Sequence, residues 1–157
     1  MQKIITILIV LTLSAVVRAQ TSSEENKIKN TINTFFDGLH KGDSAIVSSS
    51  IHKSLKLQTT FTDRESKTQI RTQLKDELLK AIASKKKEDT YFEKLLSMEI
   101  HVDANLASVW TPYEFYYNGK LSHCGANSFQ LFNNNGKWEI IYIVDTRRRK
   151  GCNTSEN

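Results

Sequence analysis

The sequence predicts an α+β domain in which a cone-shaped, curved antiparallel sheet wraps around N-terminal helices. Three observations carry this. Apolar residues in the first half recur at helical spacing, the second half holds four long strand-like runs, and the turns between those runs are explicit. A strongly bent sheet with helices on its concave side leaves an open mouth, a shape that holds a pocket.

The first stretch lies outside that plan. "MQKIITILIVLTLSAVVRAQ" places Lys3 before an apolar run from Ile4 to Val17, then Val17-Arg18-Ala19 ahead of Gln20. This is the order of a secretory signal peptide, residues 1–19, with cleavage expected after Ala19. The run is shorter than the roughly 18 apolar residues of a membrane span, so stable membrane insertion is not expected. Residues 20–26 are polar and expected to be disordered, 27–152 form one domain, and 153–157 are a C-terminal tail. Loss of Lys3 and Arg18 lowers the formal net charge from +5 to +3. Lys85–Lys87 and Arg147–Lys150 are short basic runs that read as solvated ends, and export argues against a nucleic-acid partner. The chain is expected to be secreted or periplasmic.

Ile28, Ile32, Phe35, Phe36 and Leu39 form one stripe of an amphipathic helix. Gly42 ends it, and Asp43 caps a shorter helix through about Ser48. In "SLKLQTTFTD", Leu55, Leu57, Thr59 and Phe61 alternate as a strand, turning near Asp63–Glu65 into a weaker return strand. "LKDELLKAIAS" is helical again, with Leu74, Leu78, Leu79 and Ile82 inward. The runs "LLSMEIHV", "LASVWTPYEFYY", "LSHCGANSFQLF" and "WEIIYIVDTR" then read as a meander. Asp103-Ala104-Asn105, Asn118-Gly119 and Asn133–Gly136 punctuate it. Pro112 cannot donate to a ladder, so it predicts a bulge or an edge.

Three segments, "FFDGLHKGD", "LASVWTPYEFYYNGKLSHCGANSFQL" and "GKWEIIYIVDTRRRKGC", resemble the nuclear-transport-factor-2-like superfamily of SnoaL-like and ketosteroid-isomerase-type proteins. More narrowly, they resemble its exported bacterial "putative lumazine-binding" group. The resemblance implies the cone, a pocket and often a homodimer. It implies no activity, because the superfamily includes isomerases, dehydratases, cyclases and non-catalytic binders. The Tyr-plus-carboxylate set of ketosteroid-isomerase-type sites has no matching motif here, so no catalytic residue follows from it.

Strand alternation yields candidate site residues. A two-residue turn at Asn118-Gly119 sets Glu114 opposite His123, Pro112 opposite Gly125 and Trp110 opposite Asn127. Carried across the next turn, the same face gains Phe129, Leu131, Trp138, Ile140, Tyr142 and Val144. A bulge at Pro112 would move part of this set. His123 with Glu114 is the expected acid–base pair. Asn127 would hold a carbonyl or hydroxyl, and Trp110, Tyr116, Phe129, Trp138 and Tyr142 would line a greasy, stacking pocket. The plainer alternatives are a cross-strand pair at the rim and ordinary core aromatics. Asp145 with Arg147 or Arg148 reads as an anion clamp or as an ion pair anchoring the tail.

Cys124 and Cys152, an even pair in an exported chain, predict a disulfide. Cys124 and His123 are adjacent on a strand and point to opposite faces, which excludes a Cys–His pair. There is no C-x-x-C or paired-His metal spacing, no Gly-rich phosphate loop and no G-x-S-x-G, so no metal or cofactor is expected. Three functions stay open. One is an exported binder of a small apolar or aromatic molecule. Another is an isomerase- or dehydratase-like enzyme using His123, and the third is a dimeric interaction protein.

Overall fold

The computed structural model describes residues 23–152. The stretch expected to be a signal peptide, residues 1–19, lies outside the described residues, as do residues 20–22 and the tail 153–157 with its Asn153-Thr154-Ser155 sequon. Helix α1 (residues 23–41) leads into α2 (Ser44–Ser50), then strands β1 (Ile51–Thr62) and β2 (Thr68–Gln73) and helix α3 (Lys75–Ala83). Strands β3 (Tyr91–Leu95), β4 (Glu99–Asp103), β5 (Leu106–Tyr117), β6 (Lys120–Asn134) and β7 (Lys137–Arg147) complete the chain. Among the described residues no helix is long and apolar enough to cross a membrane.

Helix α1 starts at residue 23, inside the stretch expected to be disordered. One tertiary contact and one local ion pair explain this: the Trp138 indole Nε1 donates to Glu24 at 2.7 Å, and Lys27, one turn on, pairs with the same carboxylate at 2.8 Å. At the start of α2, Asp43 accepts the Ala45 and Ile46 amides, so the expected cap is present.

The sheet runs β2-β1-β7-β6-β5-β3, with β4 also on β5, and it is curved and unclosed. One ladder, β1 with β7, is parallel; the others are antiparallel. The run read as a single strand over 95–102 holds only the last residue of β3 and most of β4, and these two strands dock on successive halves of β5. Pro112 falls between them and accepts from the Leu96 amide through its carbonyl, so its missing N–H costs nothing and no bulge forms there. Both Asn-Gly turns have positive φ at both residues (50° and 75° at Asn118-Gly119, 53° and 94° at Asn135-Gly136), the tight hairpin geometry.

Ile28, Ile32, Phe35 and Phe36 of α1 are buried on the concave face against Phe129, Leu131 and Ile140. Phe35 and Phe36 meet Phe129 edge-on at centroid distances of 6.2 and 6.0 Å. This packing fills one end of the cone and leaves the polar inner-face residues at the other.

Candidate functional site

Two bulges set which side chains face inward. On β6, Ser122 is the extra residue between the Tyr116–Leu121 and Phe115–His123 pairs. On β7, Ile141 is the extra residue between the Leu131–Ile140 and Gln130–Tyr142 pairs. The expected register therefore fails beyond each. His123 sits opposite Phe115 rather than Glu114, Asn127 opposite Thr111 rather than Trp110, and Phe129 opposite Ile143, which the expected face does not include. A one-residue slip exchanges the faces.

The inner face beyond the packed core is a row of polar side chains. Thr111, Asn127, Asp145 and Thr59 lie side by side on four neighbouring strands. Asp145 accepts from Thr59 Oγ1 at 2.6 Å and from Arg147 Nε at 2.9 Å. The Tyr113 hydroxyl lies 3.0 Å from the Thr146 carbonyl and 3.3 Å from Asp145 Oδ2, sharing its hydrogen between them. Asn127 donates its amide to Glu93 Oε1 at 2.8 Å, and the Glu93 backbone N–H donates to His40 Nε2 at 2.8 Å. Among the described residues every buried side-chain nitrogen and oxygen has a partner.

Burial raises the Glu93 carboxyl to about 7, reinforced by the Asp145 charge and opposed by the Asn127 hydrogen bond and Arg147. Although Glu93 keeps partial exposure as a residue, its carboxyl is poorly solvated. Burial lowers His123 to about 4, with the Arg147 cation adding to the effect. His123 is thus a neutral imidazole at neutral pH, stacked on Phe115 at 4.8 Å and edge-on to Tyr113 at 5.8 Å. Desolvation likewise lowers His40 and raises the Tyr113 phenol. Burial opposes the Arg147 charge, yet Asp145 holds its pKa above the ordinary value.

The structure divides the residues expected from the sequence. His123 and Asn127 face the polar cluster. Phe129 and Trp138 face inward but belong to the packed core. Glu114, Tyr116, Trp110 and Tyr142 lie on the opposite face, so Glu114 and His123 do not pair. Glu114 is buried there, accepting the Tyr116 hydroxyl at 2.8 Å with Lys94 at 3.8 Å. Trp110 is 49% exposed, and Tyr142 bonds Gln58. A cavity of about 800 Å³ on this outer face is lined in part by Tyr142, Gln130, Gln58, Leu74 and Leu106.

Glu93, Tyr113, Thr59, Thr111 and His40 are not among the site residues expected from the sequence. Glu93 carries a signal, since it alternates with Tyr91 and Leu95 on one strand face, but the strand run read from the sequence begins only at Leu95. The Asp145–Arg147 ion pair is present, as part of the cluster.

Cys124 and Cys152 form a disulfide with a Cα–Cα distance of 5.7 Å. It lies behind His123, where the Cys124 backbone pairs with Arg148.

Residues 23–144 match the family described as "Putative lumazine-binding". Among solved structures, an "NTF2-like protein of unknown function" from Shewanella baltica is 14% identical over 82% of this chain and 96% of its own, with a TM-score of 0.60. A "putative dehydratase from the NTF2-like family" of Streptomyces avermitilis is 10% identical over 82% and 99%, also at 0.60. The beta subunit of a "putative aromatic-ring-hydroxylating dioxygenase" from Novosphingobium aromaticivorans is 10% identical over 82% and 92%, at 0.66. At these identities the likeness shows the fold. No curated protein matches the sequence.

Proposed function

The chain belongs to the family described as "Putative lumazine-binding", within the NTF2-like superfamily, and on that footing we propose that it is an exported binder of a small ring-bearing molecule. The ligand seat is the inner-face cluster of Glu93, Asn127 and Tyr113, flanked by His123 and Phe115. One observation carries this reading: a carboxyl with a pKa of about 7, hydrogen-bonded to a buried amide, on the concave face of the sheet. Protonated, Glu93 donates to a ligand carbonyl; ionised, it accepts from a ring N–H or a hydroxyl. The ring faces of Phe115 and His123 supply stacking surface, and the signal-peptide pattern and disulfide support export. Native mass spectrometry of protein from its own host tests the proposal. A retained small molecule that disappears in Glu93→Gln and His123→Ala supports it, and a ligand whose affinity neither change alters overturns it.

A second reading, isomerase- or dehydratase-like proton transfer, draws on the same carboxyl. A group titrating near 7 both takes and returns a proton at neutral pH. In that case Glu93 carries the proton, because Glu114 points away and His123 is a weak base. The homodimer expected from the family resemblance would use the outer face, where Leu74, Leu106 and Trp110 are exposed. Sedimentation of wild type against Trp110→Glu checks it.

A further inference from the structure

A separate cavity of about 510 Å³ opens where the ends of β1, β2 and β7 meet. Its lining includes Thr60, Thr62, Thr68, Ile70, Thr146 and Arg148. Alternation explains these six, and Phe61, Gln69 and Arg147 complete the lining from the opposite parity. Thr59 and Asp145 face the inner cluster, so Thr60 and Thr146 face outward, in one row with Ile70. Thr62 and Thr68 pair in the next row, and Arg148 follows directly after β7.

The chemistry of this cavity is two-sided. Ile70, 60% exposed, and the threonine methyls give it an apolar floor. At the other side stands Arg148, at the centre of the basic run Arg147–Lys150. Thr146 Oγ1 accepts the Ala126 amide at 3.1 Å, which leaves its hydroxyl hydrogen to donate. Asp63, in the neighbouring β1–β2 turn, directs its carboxylate into that turn, accepting the Glu65 and Lys67 amides and the Gln69 side chain. Arg148 is held in place: its backbone pairs with Cys124, its Nη1 meets the Gly151 carbonyl, and the Cys124–Cys152 disulfide closes the segment. A fixed cation beside a fixed apolar floor loses little freedom when it binds.

We propose that this cavity binds an amphipathic organic anion. Its carboxylate sits on the Arg148 guanidinium and the Thr146 hydroxyl, and its hydrocarbon body lies across Ile70 and the threonine methyls. The site opens on the opposite side of the sheet from Glu93, meets the inner cluster only through Arg147, whose Nε is held by Asp145, and does not depend on the reading given for Glu93.

The test is an NMR titration of the intact, oxidised protein with octanoate, with 1-octanol and inorganic phosphate as half-ligands. Octanoate should give saturable shifts at Thr62, Ile70 and Thr146, with each half-ligand about tenfold weaker or worse. Arg148→Gln should weaken octanoate about tenfold, the loss expected for one charge-assisted hydrogen bond. Ile70→Ser, at an exposed position that does not threaten folding, should weaken octanoate and leave phosphate unchanged, and it carries the test if Arg148→Gln unfolds. Equal binding of phosphate or octanol, shifts centred on Glu93 and Asn127, or unaltered octanoate affinity in Arg148→Gln or in Ile70→Ser overturns the proposal.

Discussion

Asn127 donates to Glu93 across 2.8 Å and so ties β3, at one margin of the sheet, to β6 near its centre. The contact bypasses β5, whose Phe115 stands in register between Glu93 and His123. It makes one titratable group a structural strut as well as a candidate ligand contact.

Glu93 therefore sets the alkaline side of the stability profile. Its folded pKa of about 7 lies above the ordinary value of 4.5, so the protonated form favours the fold. The stability is complete below pH 4.5 and is lost as pH rises through about 7. Glu93→Gln keeps the acceptor for Asn127 and removes the titration. Urea unfolding from pH 4 to 9 should show the variant gaining on wild type with rising pH, on the order of 1–3 kcal/mol by pH 8. Parallel curves would contradict the assignment.

His123 sets the acid side. Its folded pKa of about 4 lies below the ordinary 6.5, so protonation favours the unfolded chain and stability is lost as pH falls from 6.5 toward 4. His123→Phe, which keeps a ring against Phe115, should flatten that limb. The His123 resonances themselves should titrate near pH 4; a midpoint at 6.5 would show the imidazole to be solvated.

Gly125 admits no side chain. A Cβ there would fall 1.8 Å from the Thr146 carbonyl oxygen, the group that also accepts from Tyr113. Backbone cannot yield as a flexible side chain does. Gly125→Ala should cost about 3 kcal/mol or more and disturb the Tyr113 resonances. Gly119→Ala, with open space around its Cβ but a φ of 75°, should cost only about 1 kcal/mol. Thermal unfolding of the two variants orders them.

Removing the disulfide should destabilise the chain by about 3–4 kcal/mol, the chain-entropy value for a loop closed across 28 residues. Denaturant unfolding of Cys124→Ser/Cys152→Ser against the oxidised wild type measures this. A smaller loss on adding dithiothreitol to wild type than in the double variant would point to incomplete reduction, checked by thiol titration.

Much of the architecture was legible. The apolar stripe of α1, the Asp43 cap, the two Asn-Gly hairpins and the Cys124–Cys152 pairing all follow from residues whose local chemistry admits few alternatives. The site was legible only in part, for a specific reason. Ser122 and Ile141 each add one residue to one strand, and no local signal in "KLSHCG" or "EIIYIV" marks a bulge. Pro112 predicts a bulge or an edge, and the gap between β3 and β4 supplies a local edge rather than a bulge. Period-two reasoning holds up to the first such insertion and inverts beyond it. That is why Asn127 and His123 were placed with Trp110 and Glu114, residues of the other face. Glu93 was missed because its strand is short and its partner, β5, had been given no neighbour there.

The parallel ladder between β1 and β7 has a consequence in time. Thr59 waits for Asp145, 86 positions later in the chain, before its hydroxyl has an acceptor. Until β7 is available, the only strand ladder of β1 is the hairpin with β2, and an isolated two-stranded hairpin is marginal in water. Contacts that span most of a chain also form slowly. A polypeptide built this way stays open until its last strand arrives, so a chain exported in that state would fold only after nearly all of it had crossed.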